Sequence, residues 1–130
     1  MSLLTGVKIR AISASCPRKT ARSEDAPSLT GVASRRFIKS VGISERRIAD
    51  SGTFSSDLAR EAAKQALGDL GWSEVDLLVA ITQTPDRAIP GIAVRLQHQL
   101  GLSSRVPAFD INLGCSSVPY GVSVVASLMK

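Results

Sequence analysis

The chain has 130 residues, of which 44% are hydrophobic and 21% are charged, a composition typical of a globular domain rather than a disordered segment. No stretch approaches the roughly 18 consecutive apolar residues of a membrane span, and the first residues lack the charged-then-apolar plan of a signal peptide. We therefore expect one cytoplasmic domain with no membrane partner. The formal charge of +5 favours anionic partners.

The positive charge is concentrated early in the chain, before residue 48. A basic face suits a phosphorylated carrier, an acidic protein or nucleic acid, and the alternative is a solvated, partly ion-paired surface. Of the five aromatic residues, only Phe37 lies within a basic cluster, and one aromatic side chain is too few for a surface that stacks bases, so we expect no nucleic-acid partner. The clusters are Arg18, Lys19 and Arg22, then Arg35, Arg36 and Lys39, then Arg46 and Arg47.

Short extended segments and one helix are predicted in the amino-terminal part. Residues 7–15 alternate in hydrophobicity and are predicted to form a first strand that enters a core. Residues 21–34 are rich in Ser, Pro and Gly and are predicted to form a loop. A helix of about two turns is predicted over residues 35–41, with Gly42 placed to end it, and residues 43–49 follow as a charged extended piece.

The next two predicted elements are a helix and a buried strand. Apolar side chains recur every three or four positions over residues 57–70, which indicates a helix. Ser55 or Ser56 is suited to cap its start, and Gly71 to stop it. Residues 75–82 form a continuous apolar run, the pattern of a strand covered on both faces of a parallel sheet.

A loop over residues 83–90 and a short helix over residues 91–100 precede a second buried strand at 108–112. Strands and helices thus alternate along the chain. This order favours an α/β fold with a mostly parallel sheet and helices on its faces, and chemistry is then expected at the strand ends.

Cys115 lies where this last strand is predicted to pass through a small-residue turn, residues 113–117, into an apolar helix. Pro119 fits the first turn of that helix, because its missing N–H costs nothing there. The free N–H groups and macrodipole of a helix start stabilise a thiolate, the nucleophilic form of cysteine, and can hold an oxyanion. This placement suits acyl transfer. The alternative is that Cys115 is a small buried hydrophobe, as free cysteines often are.

The two cysteines, Cys16 and Cys115, are far apart in the sequence. Neither has the spacing of a zinc site or of a disulfide framework. The chain also has no G-x-G-x-x-G segment and no P-loop. We therefore predict reduced thiols, no metal and no resident cofactor.

Several segments in one order resemble the amino-terminal part of the ketoacyl-acyl-carrier-protein synthase III family, among the thiolase-like condensing enzymes. The resemblance implies the amino-terminal half of the α/β thiolase-like fold, with a mostly parallel or mixed sheet and helices on its faces. Family members are more than twice this long, so residues 1–130 are expected to be an incomplete half-domain. It is either a fragment of a longer polypeptide or, alternatively, a natural truncation. The segments are VGISERRIA, ALGDLGW, VDLLVAIT, AIP, RLQHQLGL and PAFDINLGCSSVPYGVSVV.

The resemblance implies an acyltransferase in which Cys115 matches the nucleophilic cysteine of the family. An acyl-CoA or acyl-carrier-protein thioester would acylate it. A malonyl thioester on a carrier protein would then lose carbon dioxide and attack the acyl enzyme, a decarboxylative Claisen condensation that starts a fatty acid or a specialised acyl chain. The histidine and asparagine that assist this step belong to the family's carboxyl-terminal half. His98 matches no catalytic position and is expected at the surface or an interface.

Two further positions are implied to bind substrate. Ile89 matches a large apolar residue that crosses the interface of a homodimer and shapes the partner's acyl pocket. Arg36 and Ser40 match an aromatic residue and an arginine that hold the nucleotide end of coenzyme A, which leaves Arg36 as a phosphate contact. Ser117 stands at a position where glycine is common in the family, and a proline at the position of Pro119 is unusual there. These departures indicate a specialised branch with a different acyl donor or, alternatively, a non-catalytic dimerisation or partner subunit.

Overall fold

The computed structural model describes residues 5–26 and 31–129, with the backbone alone described over residues 31–34. The chain divides into two compact units. The smaller unit is Ser15–Phe54, and the larger unit is the rest of the described chain. None of the helices in these described residues is long and apolar enough to cross a membrane.

The smaller unit contains a two-stranded antiparallel sheet. Strand β1 (Thr20–Arg22) pairs with β2 (Glu45–Arg47), and a short 3-10 helix, Ser23–Asp25, follows β1. The buried hydroxyl of Ser23 donates a hydrogen bond of 2.8 Å to the carbonyl oxygen of Ile43. This bond ties the segment after β1 to the segment before β2, and so supports the pairing of the two strands.

Helix α1 (Gly31–Val41) begins earlier than predicted. Gly42 ends it with φ of 73°, as expected for a glycine in the left-handed region after a helix. The prediction of a loop over residues 21–34 is therefore wrong at both ends, which belong to β1 and α1. Residues 27–30 of that loop lie outside the described residues.

The larger unit contains a parallel pair of strands. Strand β3 (Leu78–Ile81) pairs with β4 (Ala108–Ile111) along the full length of both. Both strands are shorter than predicted, but their parallel pairing and the alternation with helices confirm the α/β class. The helices of this unit are α2 (Ser55–Leu67), α3 (Ile92–Gln99) and α4 (Ser117–Leu128).

The two faces of β3 are covered by different helices. Leu78 and Ala80 pack against a core formed largely by α3, whereas Ile81, on the opposite face, contacts α4. Successive side chains of a strand alternate between faces, so helices lie on both sides of this sheet, as predicted. The buried core residues are Ile92, Leu96, Leu100 and Leu102.

The first strand predicted over residues 7–15 is not present. No described segment forms a strand ladder with these residues, and Ile9 and Ile12 are 69% and 84% exposed. Because a strand gains its hydrogen bonds only from a neighbour, alternating hydrophobicity alone does not produce one.

Helix α2 ends earlier than predicted. Its last residue is Leu67, and Gly68 follows with φ of 53°. Gly71, predicted to stop the helix, lies instead at the start of a 3-10 turn with extended backbone angles. The helix ends at the first of these two glycines, because Gly68 adopts the left-handed backbone angles that terminate a helix and Gly71 does not.

Candidate active site

Cys115 lies exposed in the turn between β4 and α4. A hydrogen bond of 2.9 Å from the N–H of Ser117 to the carbonyl oxygen of Gly114 closes this turn. Ser116 is the N-cap of α4, so the cysteine comes one residue before the cap. The strand, turn and helix predicted around Cys115 are confirmed, and its exposure argues against the buried apolar alternative. Its role as nucleophile stays a prediction.

A close approach at Gly121 holds α4 against the sheet. Gly121 is buried, and a β-carbon built on it would overlap Cδ1 of Ile81 on β3. The helix backbone lies this close to the strand because glycine has no side chain. The contact fixes the start of α4, and with it the turn that carries Cys115, relative to the sheet.

Gly121→Ala is expected to lower the free energy of unfolding by up to about 1 kcal/mol, because the added methyl group must push the terminal methyl group of Ile81 out of its preferred rotamer. In an ordinary helix interior the same change raises the free energy of unfolding by up to about 1 kcal/mol. The change expected at Gly121 therefore has the opposite sign to the one that helix propensity alone predicts. The measurement is urea unfolding of the natural gene product. Ser123→Ala, at an exposed position of the same helix, serves as the control and is expected to change stability by less than about 0.5 kcal/mol. A Gly121→Ala protein more stable than the original would contradict the close contact.

The loop between β3 and α3 is anchored by Asp86. Its side chain is only 2% exposed. Its Oδ1 accepts a hydrogen bond of 3.2 Å from the N–H of Ser56, and its Oδ2 lies 3.8 Å from Nε of Arg95. The prediction that Ser55 or Ser56 caps α2 is therefore wrong: a carboxylate from a distant loop satisfies the Ser56 N–H, and the Ser55 hydroxyl donates to the carbonyl oxygen of Thr84 at 3.4 Å.

The other end of the loop is tied to β4 through Asp110. Its carboxylate accepts hydrogen bonds from the N–H groups of Ile92 at 2.8 Å and Ala93 at 2.6 Å, which caps the start of α3. Between the two anchors lies Ile89, which is 86% exposed and joined to Pro90 by a cis peptide bond. The loop thus presents Ile89 outward from the larger unit.

The predicted site residues fall in both units. Cys115 and Ile89 share the larger unit, on loops that follow neighbouring parallel strands, and such loops lie at the same edge of a sheet. Arg36 is exposed on α1 of the smaller unit, as is Ser40, whose hydroxyl donates to the carbonyl oxygen of Phe37 at 2.9 Å. His98 is exposed near the end of α3, in agreement with the predicted surface position.

Two residues near this edge were not singled out in the sequence. Asp86 had no local signal, since an aspartate in a Pro-Asp-Arg loop is an ordinary turn residue. Gln83 follows β3 directly, and its place at a strand end was the only signal that could have drawn attention to it. Within the described ranges, no group of three or more His, Cys, Asp or Glu side chains is placed to hold a metal ion.

The chain is similar to curated proteins and solved structures of one kind. The beta-ketoacyl-acyl-carrier-protein synthase III of Anaplasma marginale is 36% identical over 121 residues, which cover 92% of this chain and 37% of that protein. The protein of the same name from Rhodospirillum rubrum is 46% identical over 91 residues, 68% of this chain and 28% of its own length. The chain belongs to the beta-ketoacyl-acyl-carrier-protein synthase III family.

The crystal structure of the Aquifex aeolicus 3-oxoacyl-acyl-carrier-protein synthase III supports this assignment independently. It matches with a TM-score of 0.82 and 31% identity, over 95% of this chain and 40% of that one. The synthase III match confirms the thiolase-like α/β fold and shows that it is incomplete here, since the chain spans 37% of the Anaplasma relative. No family model matches the sequence.

Proposed function

We propose that the natural gene product is an acyltransferase of the ketoacyl synthase III type, with Cys115 as its acyl acceptor. The observation that carries this proposal is the exposed cysteine in a strand-turn-helix junction of a synthase III segment. The thiolate sulfur attacks the carbonyl carbon of an acyl-CoA or acyl-carrier-protein thioester. A new carbon–sulfur bond forms, the donor's carbon–sulfur bond breaks, and the donor leaves as its thiol after taking up a proton.

Condensation completes the proposed reaction. A malonyl thioester on a carrier protein loses carbon dioxide, and its carbanion attacks the acyl carbon on Cys115, so that a carbon–carbon bond forms and the cysteine sulfur leaves. Because the chain spans 37% of the Anaplasma relative, we assign this step to the whole protein and only the nucleophile to this segment. We place the protein in the cytoplasm as a homodimer that starts a fatty acid or a specialised acyl chain.

The exposed basic residues of the smaller unit suit the proposed acyl donors. Arg35, Arg36 and Lys39 are exposed on α1, and both the phosphates of coenzyme A and an acidic carrier protein would be attracted to this charge. We propose that Arg36 contacts a phosphate of the donor. The positive charge would then speed the encounter with either donor at low salt.

The test of the proposed function is the intact mass of the natural gene product before and after incubation with a panel of acyl-CoA thioesters. We expect an increase by one acyl group, with the label on the peptide that contains Cys115. A protein that forms no adduct with any member of the panel would contradict the proposal. That outcome would favour the non-catalytic partner subunit instead.

Ile89→Ala is expected to change the preference for acyl chain length. In the proposed homodimer the exposed Ile89 borders the partner's acyl pocket, and removing its methyl groups enlarges that pocket. The loading rate of octanoyl relative to acetyl thioester is then expected to rise roughly tenfold, since each methylene is worth about 1–3 kcal/mol in such a pocket. Val94→Ala, at an exposed position of α3, is the matched control. The same ratio in the Ile89→Ala and original proteins would remove Ile89 from the pocket.

A further inference from the structure

Gln83 lies beside the turn that carries Cys115. The parallel ladder extends one residue beyond β3, because the N–H of Thr82 donates a hydrogen bond of 3.2 Å to the carbonyl oxygen of Ile111. Gln83 and Gly114 therefore follow neighbouring strands at the same edge. A β-carbon built on Gly114 would lie 2.6 Å from Oε1 and 3.2 Å from Nε2 of Gln83. The carboxamide thus packs on the backbone of the residue that precedes the cysteine.

The backbone on either side of Gln83 is held in place. The N–H of Thr84 donates to Oγ1 of Thr82 at 3.0 Å, and the carbonyl oxygen of Thr84 accepts from the Ser55 hydroxyl. These bonds tie the residues flanking Gln83 to each other and to the start of α2. The direction in which the Gln83 side chain leaves the loop is therefore determined by the fold.

The carboxamide of Gln83 has hydrogen-bonding capacity to spare. It carries two N–H donors and one acceptor oxygen, and in the described part of the chain no hydrogen bond or ion pair involves it. The side chain is exposed in this segment, so water can reach these groups here. An acyl group bonded to the neighbouring cysteine would displace some of that water.

We infer that Gln83 selects acyl groups that carry a hydroxyl or keto oxygen close to the thioester over plain hydrocarbon acyl groups. This inference rests on the proposed function of Cys115. A hydrocarbon chain that covers the carboxamide leaves its polar atoms without partners, which is unfavourable. An oxygen on the acyl chain replaces the lost water, because it accepts a hydrogen bond from Nε2 of Gln83. Gly114 contributes by leaving room for the carboxamide.

The experiment compares butyryl-CoA with 3-hydroxybutyryl-CoA, two donors of equal chain length, as substrates of the natural gene product. The rate of loading of Cys115 is followed by intact mass. We expect the hydroxylated donor to load roughly tenfold faster, the scale of one hydrogen bond made by a polar site. Gln83→Leu keeps the size of the side chain and removes its polar atoms, so this preference should disappear.

Two more variants make the result decisive. Gln65→Leu, the same change at an exposed position of α2, should keep the preference. Gln83→Met, which is unbranched and apolar, replaces Gln83→Leu where the leucine variant does not fold. Equal loading of both donors by the original protein, or a preference that survives at Gln83→Leu or Gln83→Met, overturns the inference alone. A protein that neither donor acylates contradicts the proposed function, and the inference falls with it.

Discussion

Cys115→Ala is expected to abolish acyl loading of the natural gene product. The alanine variant lacks the sulfur atom to which the acyl group bonds, and removal of a catalytic nucleophile lowers rates by at least about a thousandfold. In intact mass spectra, the increase by one acyl group should therefore vanish. Cys115→Ser tests the same point with a smaller change in shape, since a serine hydroxyl at its ordinary pKa is a much weaker nucleophile than a thiolate.

Cys16→Ala is the matched control for this prediction. Cys16 is the chain's other thiol, and it is exposed as Cys115 is, so an unspecific reaction with thioesters would label both residues. We expect the Cys16→Ala protein to load as the original does. An acyl adduct that persists in Cys115→Ala but vanishes in Cys16→Ala would show that Cys16 is the acylated residue. That result would contradict the assignment of Cys115 as the nucleophile. Unchanged product formation by Cys115→Ala would favour the partner subunit.

The turn around Cys115 was predictable because its determinants are local. Small residues precede the helix, Pro119 falls in its first turn, and the apolar run of β4 leads into it. The same holds for the end of α1, where Gly42 adopts φ of 73°. In each case the conformational preference of one residue is enough to determine the backbone.

The contacts that hold the loops of the candidate site in place were not predictable from the sequence, because they join residues that are far apart along the chain. The link between Asp86 and Ser56 joins a loop to the start of α2, 30 residues away in the sequence. The position of Gln83 against Gly114 exists only once β3 and β4 have paired. The prediction of a strand at residues 7–15 was wrong because a strand also depends on a distant partner, the neighbour that supplies its hydrogen bonds. Periodicity reports which face of an element is apolar, and it carries no information about its partner.

Asp86→Ala is expected to destabilise the larger unit by about 2–3 kcal/mol, the scale of losing a buried hydrogen bond to a charged group. The carboxylate is 2% exposed and serves the N–H of Ser56 at the start of α2, while the neighbouring Arg95 is 26% exposed and stays partly hydrated. The measurement is urea unfolding of the natural gene product. Asp86→Asn keeps an acceptor oxygen toward Ser56 and should cost less than the alanine variant.

Glu61→Ala is the control for Asp86, because it also removes a carboxylate that pairs with a basic side chain. Glu61 lies 3.2 Å from Nε of Arg60 and 3.7 Å from Nζ of Lys64, but its side chain is 48% exposed. An exposed pair is screened by water and contributes about 0.2–1 kcal/mol, so this change should leave stability almost unaltered. If the two alanine variants lose the same stability, burial of Asp86 is not what anchors the loop. If Asp86→Ala alone loses stability and also loads Cys115 with altered chain-length preference, the anchor positions Ile89 as well as the helix.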